Sequence, residues 1–409
     1  MLTAAMRGLR RVLLPVLLVA MLLTPAIRAG EPLPAQISDD AFWKLVTESS
    51  EPGGGFLSEN LVSNELGYPY VIQPLLERVH PGGAYIGVGP EQNFTYVAAV
   101  QPGIAFIVDI RRQNMIEHLF YKAVFEMSAT RGEFLSRLFA RKTGKTLTRN
   151  ATVEELFDAF AGLPEDPALY RENLDAITSV LVDKHHFELN EEDRGTLEHV
   201  YEQFAKHGAD VQYAVSDTAL RRAIPPGFIT DQVFTFPVDP NADPIITAQR
   251  MNGNVVSVLL GMPFPTYAEV MKATDANGRN WSYLATEENY ERVRAMQRKN
   301  LIVPLVGDFA GPKALRAVGE FLKDRDATVS VFYVSNVEQY LTPAPRLRDF
   351  YSNVEALPLN ASSTFIRSAQ ISGPQPGLAQ SSISSMQIIM DAVLSGRVRN
   401  WNDILQLPR

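Results

Sequence analysis

The feature that most constrains this chain is a pair of short apolar runs, Ala84–Val88 and Ile104–Asp109, separated by one helix-length segment. Neither run alternates polar with apolar residues. Near-continuous apolar character over so few positions is the pattern of a strand buried on both faces, which parallel sheets covered by helices provide. Between the runs, Gly87-Val88-Gly89-Pro90 makes a turn, and Gln92–Val100 is apolar and long enough for a helix. The three pieces read as a βαβ unit. The expected fold class is therefore α/β, with a Rossmann-like, mostly parallel sheet flanked by helices.

The rest of the chain is read around that unit. A short helix is expected around Ala41–Thr47, capped by Asp39 or Asp40, and another over Tyr70–His80, ended by Pro81-Gly82-Gly83. Arg112–Arg141 is helical in pattern, with Ile116, Leu119, Phe120 and Ala123 on one face. Thr148–His207 reads as an inserted helical subdomain, with helices over Thr152–Phe160, Pro167–Asp183 and Glu191–Lys206. Gly208–Ala285 is rich in Pro, Gly and Asn, which predicts strands, turns and a long surface excursion. The alternation then resumes with a helix over Glu287–Lys299, a strand over Leu301–Val306, a helix over Pro312–Lys323 and a strand over Thr328–Val334. Ser384-Ser385-Met386 reads as linker and helix-cap material. The resulting plan is a signal over 1–29, an α/β domain split between 30–147 and 286–409, and the insertion over 148–285, the last part including a C-terminal segment.

Arg7, Arg10 and Arg11 precede an apolar stretch from Val12 to Leu23, the layout of a secretory signal cut after Ala26 or Ala29. Spanning a bilayer takes about 20 helical residues, so the stretch reads as a cleaved signal, with an uncleaved anchor as the alternative. The mature protein is expected to be exported, periplasmic or secreted, with no membrane span left after cleavage. The chain has no cysteine, which excludes disulfides, thiolate catalysis and cysteine-ligated metals. A net charge of −8 gives no basic field for a phosphate backbone, so nucleic acid is not an expected partner. A small-molecule ligand is, and the oligomeric state is left open.

In an open parallel sheet, ligands sit beyond the carboxyl ends of the strands where strand order reverses. Gly87 and Gly89 end the first strand, Asp109 the second, Asp308 follows the third, and Ser335-Asn336 the fourth. Backbone without side chains can approach a ligand closely, and a carboxylate after the second strand is where a ribose is held. This order resembles the class I S-adenosylmethionine-dependent methyltransferases over roughly Leu75–Met127 and Glu287–Leu341. The resemblance implies that Gly87 and Gly89 pack against the cofactor's amino-acid part, Asp109 binds ribose and Asp308 the adenine amino group, with Ser335 and Asn336 alongside. The pattern departs at Tyr85, where the family usually carries an acid, and at Glu91, where it carries a glycine. A carboxylate at Glu91 repels the cofactor's carboxylate unless it faces away. Gln92 replaces the third glycine of a dinucleotide fingerprint, which weakens an NAD reading. Ser58–Asn64, Gly87–Tyr96 and Asp109–Asn114 also resemble a family of bacterial proteins without an assigned activity.

Each of these residues has a plainer alternative role. The glycines also suit a tight turn, Asp109 also suits a cap or a pair with Arg111 or Arg112, and Asp308 also suits a loop cap. Arg111 and Arg112 either hold an anionic group or are solvated. Glu59, Asn60, Asn64 and Glu65 form a polar cluster able to cover the ligand edge, or a solvated loop. His185-His186 and His199 with Glu202 lack zinc-site spacing, so no metal is expected, and no Gly-x-Ser-x-Gly elbow is present. Three functions follow: an exported S-adenosylmethionine-dependent transferase acting on a small or envelope-associated substrate, an exported, non-catalytic binding protein with a remodelled Rossmann-like pocket, or a structural or interaction role with the helical insertion as contact surface.

Overall fold

A computed structural model describes residues 31–56, 59–213, 236–239, 242–246, 264–341, 344–370, 379–398 and 400–407. The segment read as an export signal and most of the excursion after Gly208 lie outside them. Among the described residues no helix is long and apolar enough to cross a membrane.

Six strands form one sheet: β1 (Ala84–Gly87), β2 (Ile104–Asp109), β3 (Ile302–Val306), β4 (Val329–Ser335), β5 (Thr364–Gln370) and β6 (Ala379–Ser385). Their spatial order is β3-β2-β1-β4-β5-β6, parallel throughout except that β6 runs antiparallel to β5. This is a Rossmann-like sheet, and the chain is α/β. Every residue of β1, β2 and β3 is buried, as expected for strands with both faces covered. The chain steps from β1 outward to β3 and then returns to β4, so the strand order reverses between β1 and β4. Right-handed crossovers put the connecting helices on opposite faces before and after that reversal. The crevice at the carboxyl ends of β1 and β4 is thereby opened.

The helices after β1 and β2, α1 (Gln92–Val100) and α2 (Arg112–Met127), pack with Glu287–Arg298 on one face. The expected single helix over Arg112–Arg141 is two, because Thr130 caps a new helix at Arg131 by accepting from the Glu133 amide. The inserted helices start where capping boxes predict, at Thr152 and at Asn190, the latter opening α3 (Glu191–His207). α3 lies against α2, with Phe120 stacked on Phe204 and tilted against Tyr201, and both helices share the sheet's hydrophobic core. The first helix runs Asp39–Ser49 and is capped by Ser38, not by Asp39 or Asp40. Pro312 precedes α4 (Ala314–Lys323) by one turn residue more than expected, since the Glu51 carboxylate accepts the Lys313 and Ala314 amides, each at 2.9 Å, and sets the helix start.

The serine-rich stretch read as linker is the antiparallel strand β6, with Ser385 as the cap of the helix Met386–Leu394. Its partner β5 was equally hidden. Both carry buried polar residues: Arg367 on β5 pairs with Glu338 at 2.6 Å and also bonds Ser384 of β6. A pair satisfied in this way replaces the apolar run by which strands are usually recognised.

Candidate functional site

The crevice between the β1 and β4 ends is a cleft of about 1240 Å3, its open mouth included. Of the residues singled out from the sequence, Gly89, Asp109, Asp308, Ser335 and Asn336 all line this cleft. Gly87 does not. A Cβ there would stand 1.9 Å from Asn93 Oδ1 and 2.8 Å from the Tyr85 ring, so its glycine serves internal packing.

The glycine turn is held from behind. Asn93 Nδ2 donates to the carbonyls of Val88, Gly89 and Pro90 at 3.0, 3.1 and 2.7 Å, while its Oδ1 accepts from Tyr85 Oη at 2.8 Å. His118 Nε2 donates to the Gly89 carbonyl at 2.9 Å. Burial pushes the His118 imidazole down to about 4, so it is neutral at pH 7. Because a trans peptide sets N–H opposite C=O, the inward Val88 carbonyl turns the Gly89 N–H toward the cleft. Gly89 has φ +78°, and a Cβ there would meet only Asn60 Nδ2, at 3.7 Å. Absence of a side chain at this position lets a ligand approach the backbone closely.

Glu91 faces away from the cleft. It is fully buried, both carboxylate oxygens accepting from the Ser63 amide at 3.2 and 3.3 Å, and burial pushes it up to about 8. The repulsion expected of a carboxylate at this turn is therefore absent on two counts, direction and protonation.

Both strand-end acids hold arginines. Asp109 Oδ1 accepts from Arg111 N and Nε at 2.9 and 3.0 Å, and Oδ2 from Nη2 at 2.8 Å. Three acceptor positions are filled, which leaves Oδ2 one lone pair. Asp308 Oδ1 accepts from the Ala310 amide at 2.9 Å, and Oδ2 pairs with Arg346. Arg112 lies outside the cleft: its side chain is 42 % exposed and clamps Asp193 of α3 at 2.6 and 2.8 Å.

The polar loop before the second helix covers the cleft, with Asn60, Ser63, Asn64 and Glu65 all lining it. Glu59 ties that loop down, its carbonyl accepting from Arg111 and its carboxylate meeting His199 Nε2 of α3 at 3.1 Å. Glu65 Oε1 accepts from Tyr333 Oη at 2.8 Å and Ser335 Oγ at 2.5 Å, and Oε2 from Gln92 Nε2 at 3.1 Å. Sequence reasoning marked Glu65 only as part of a cluster and missed Tyr333, Ser368 and Arg346. The alternation in β4 places Tyr333 and Ser335 on one side, a signal that was present. Nothing in the order of residues announced Ser368, which sits on the unrecognised β5.

His185 lies elsewhere, between Asp39 at 2.8 Å and Glu126 at 2.9 Å. Among the described residues no group of three or more His, Asp or Glu side chains is arranged to hold a metal.

A family model described as a domain of unknown function (DUF7790) matches residues 61–207 and 262–391. No curated protein matches the chain. The two matched blocks carry all six strands of the main sheet and the cleft from Ser63 to Ser368 apart from Tyr213.

Proposed function

The chain belongs to this family of unknown function, and from its cleft we propose that it binds a nucleoside-bearing ligand of the S-adenosylmethionine type and transfers a group from it to a small or envelope-associated acceptor. One observation carries the reading: residues from four strand ends, Gly89, Asp109, Asp308 and Ser335-Asn336, meet in one cleft at the reversal of strand order. Their chemistry fits the group. Gly89 offers an outward amide and open space, Asp109 one acceptor position for a ribose hydroxyl, and Val108, Ile110, Phe309 and Leu341 apolar surface for a flat base. Asp308, beside Phe309, supplies an acceptor for an exocyclic amine. S-adenosylmethionine, when bound, supplies a methyl group made electrophilic by its sulfonium. The chain's task is then to orient the ligand and exclude water, for which a catalytic triad is unnecessary. The N-terminal sequence supports export of the mature protein.

Calorimetry and thermal unfolding of the full chain with S-adenosylmethionine, S-adenosylhomocysteine and NAD test this. Both S-adenosyl ligands are expected to raise the unfolding temperature, with a gain of about 2.7 kcal/mol at a hundred times the dissociation constant. NAD is expected to have no effect, and Asp109→Ala to remove the S-adenosyl response. Absence of any shift at millimolar S-adenosyl ligand overturns the proposal.

The engagement of both strand-end acids by arginines favours a second reading, an exported binding protein whose pocket has been remodelled. That reading predicts saturable nucleoside binding with no methylated product in any acceptor screen.

A further inference from the structure

We propose that Glu65 recognises an ammonium group, so that the ligand of the cleft carries a primary amine. The inference rests on the switch-point cleft being the ligand site. Glu65 is 5 % exposed, yet among the described residues it forms no ion pair with any lysine, arginine or histidine. The two arginines lining the cleft are committed elsewhere, Arg111 to Asp109 and Arg346 to Asp308. What surrounds Glu65 is neutral: Tyr333, Ser335, Gln92 and Ser368 all hydrogen-bond its carboxylate.

The direction of those bonds matters. Tyr333, Ser335 and Ser368 line the cleft, and each spends its single hydroxyl proton on Glu65. Only their oxygen lone pairs remain to face a ligand. Around Glu65 the cleft thus presents hydroxyl acceptors beside one buried carboxyl that has no cationic partner among the described residues. An isolated buried carboxylate is costly, and a cation seated beside it removes that cost. An ammonium supplies three donors and the missing charge together. Tyr85 stands where the strand pattern lacks its acid; burial raises its phenol most, and the nearby Tyr96 and Glu65 add to it, which puts Glu65 in the same neighbourhood. The acid absent from the strand is therefore present in space, carried in by the loop.

The test is calorimetry of the full chain with S-adenosylhomocysteine, which has an α-ammonium, and with 5′-methylthioadenosine, which lacks it. The wild type is expected to bind the first at least about tenfold more tightly, the range of one charged hydrogen bond. Glu65→Gln is expected to abolish that preference while leaving 5′-methylthioadenosine within about twofold. Ser368→Ala, a milder change, is expected to reduce it without touching the charge. If Glu65→Gln keeps the full preference, the inference is overturned and the nucleoside site stands. If neither nucleoside binds the wild type, the nucleoside reading falls, and a second comparison judges Glu65 alone. In it, putrescine but not 1,4-butanediol must raise the unfolding temperature of the wild type and not of Glu65→Gln; equal responses refute the ammonium site.

Discussion

Two carboxylates, Glu65 buried at the cleft and Glu126 partly buried near the end of α2, sit among opposite kinds of neighbour. Glu65 is 5 % exposed and the Glu126 side chain 6 %. Glu126 is surrounded by cations: Lys122 at 2.7 Å, Lys184 at 2.6 Å and His185 at 2.9 Å. Burial alone would raise its pKa, but His185 and the lysines outweigh it and hold the carboxyl well below the ordinary range. Glu65 has only hydroxyl and amide donors, burial outweighs them, and its pKa is raised. One acid is complete within the chain and braces α2 to the turn at Lys184. The other lacks a counter-charge and lines the one place where a ligand could bring it. Opposite pKa shifts, set by the presence or absence of neighbouring cations as well as by depth, separate a structural ion pair from a binding group.

The comparison breaks most visibly at Glu126. Glu126→Gln strips the charge from a cluster whose Lys122 side chain is 1 % exposed, leaving a buried ammonium without its carboxylate. A loss of about 3 kcal/mol or more is expected from urea denaturation, in the range for breaking one side of a buried pair. Glu65→Gln removes no counter-charge and keeps the shape, so its stability should stay within about 1 kcal/mol of wild type. Comparable losses in the two variants would make Glu65 a brace as well and remove the distinction.

A smaller effect, spread over pH, comes from Glu91. Its folded pKa of about 8 lies above the ordinary 4.5, so between these values the folded chain binds more protons than the unfolded one. Stability from this group is complete below pH 4.5 and falls as pH rises through 8, by at most about 1.4 kcal/mol per pH unit. Glu126 has the opposite sign, since its lowered pKa gives stability above the ordinary value that is lost on acidification. His118 joins it, costing stability as pH falls from 6.5 toward its folded value of about 4. Denaturation midpoints at pH 6 and pH 9 should therefore differ in the wild type and differ less in Glu91→Gln, the rest of the slope coming from Glu65 and Glu117, whose burial also raises them. An unchanged pH profile in that variant would mean Glu91 is not the group that titrates.

The same contrast explains what could be read from the residues in order. Gln92–Val100 and Ile104–Asp109 match their expected bounds because continuous apolar runs report burial on both faces directly. Four strand ends were legible for the same reason, and the cleft at the strand reversal brings Gly89, Asp109, Asp308, Ser335 and Asn336 together. β5 and β6 were not legible, because Arg367 and Ser384 are buried polar residues satisfied by partners far away in sequence. Glu65 was visible only as one of several loop acids. Its character comes from Gln92, Tyr333, Ser335 and Ser368, four contributions from three later segments, and from cations that are not there. Pairwise tertiary contacts of that kind leave no local pattern.

The finest test concerns Ser335, whose backbone φ of +49° lies in the left-handed region that non-glycine residues rarely adopt. That conformation delivers its Oγ to Glu65 Oε1 at 2.5 Å, so strain is traded for a charged hydrogen bond. Ser335→Ala keeps the strain and loses the bond, and should cost about 1.5 kcal/mol. Ser335→Gly loses the bond but relieves the backbone, and should cost roughly 1 kcal/mol less. Both variants leave Glu65 with one donor fewer, so its carboxylate is held less firmly as an anion and binding of an amine should weaken in each. Denaturation would read the difference between the two variants as the backbone strain, and amine titration would read their shared loss as the contribution of Ser335 to Glu65. Equal stabilities would show that the left-handed turn is unstrained, and unchanged amine affinity would detach Ser335 from the acceptors around Glu65.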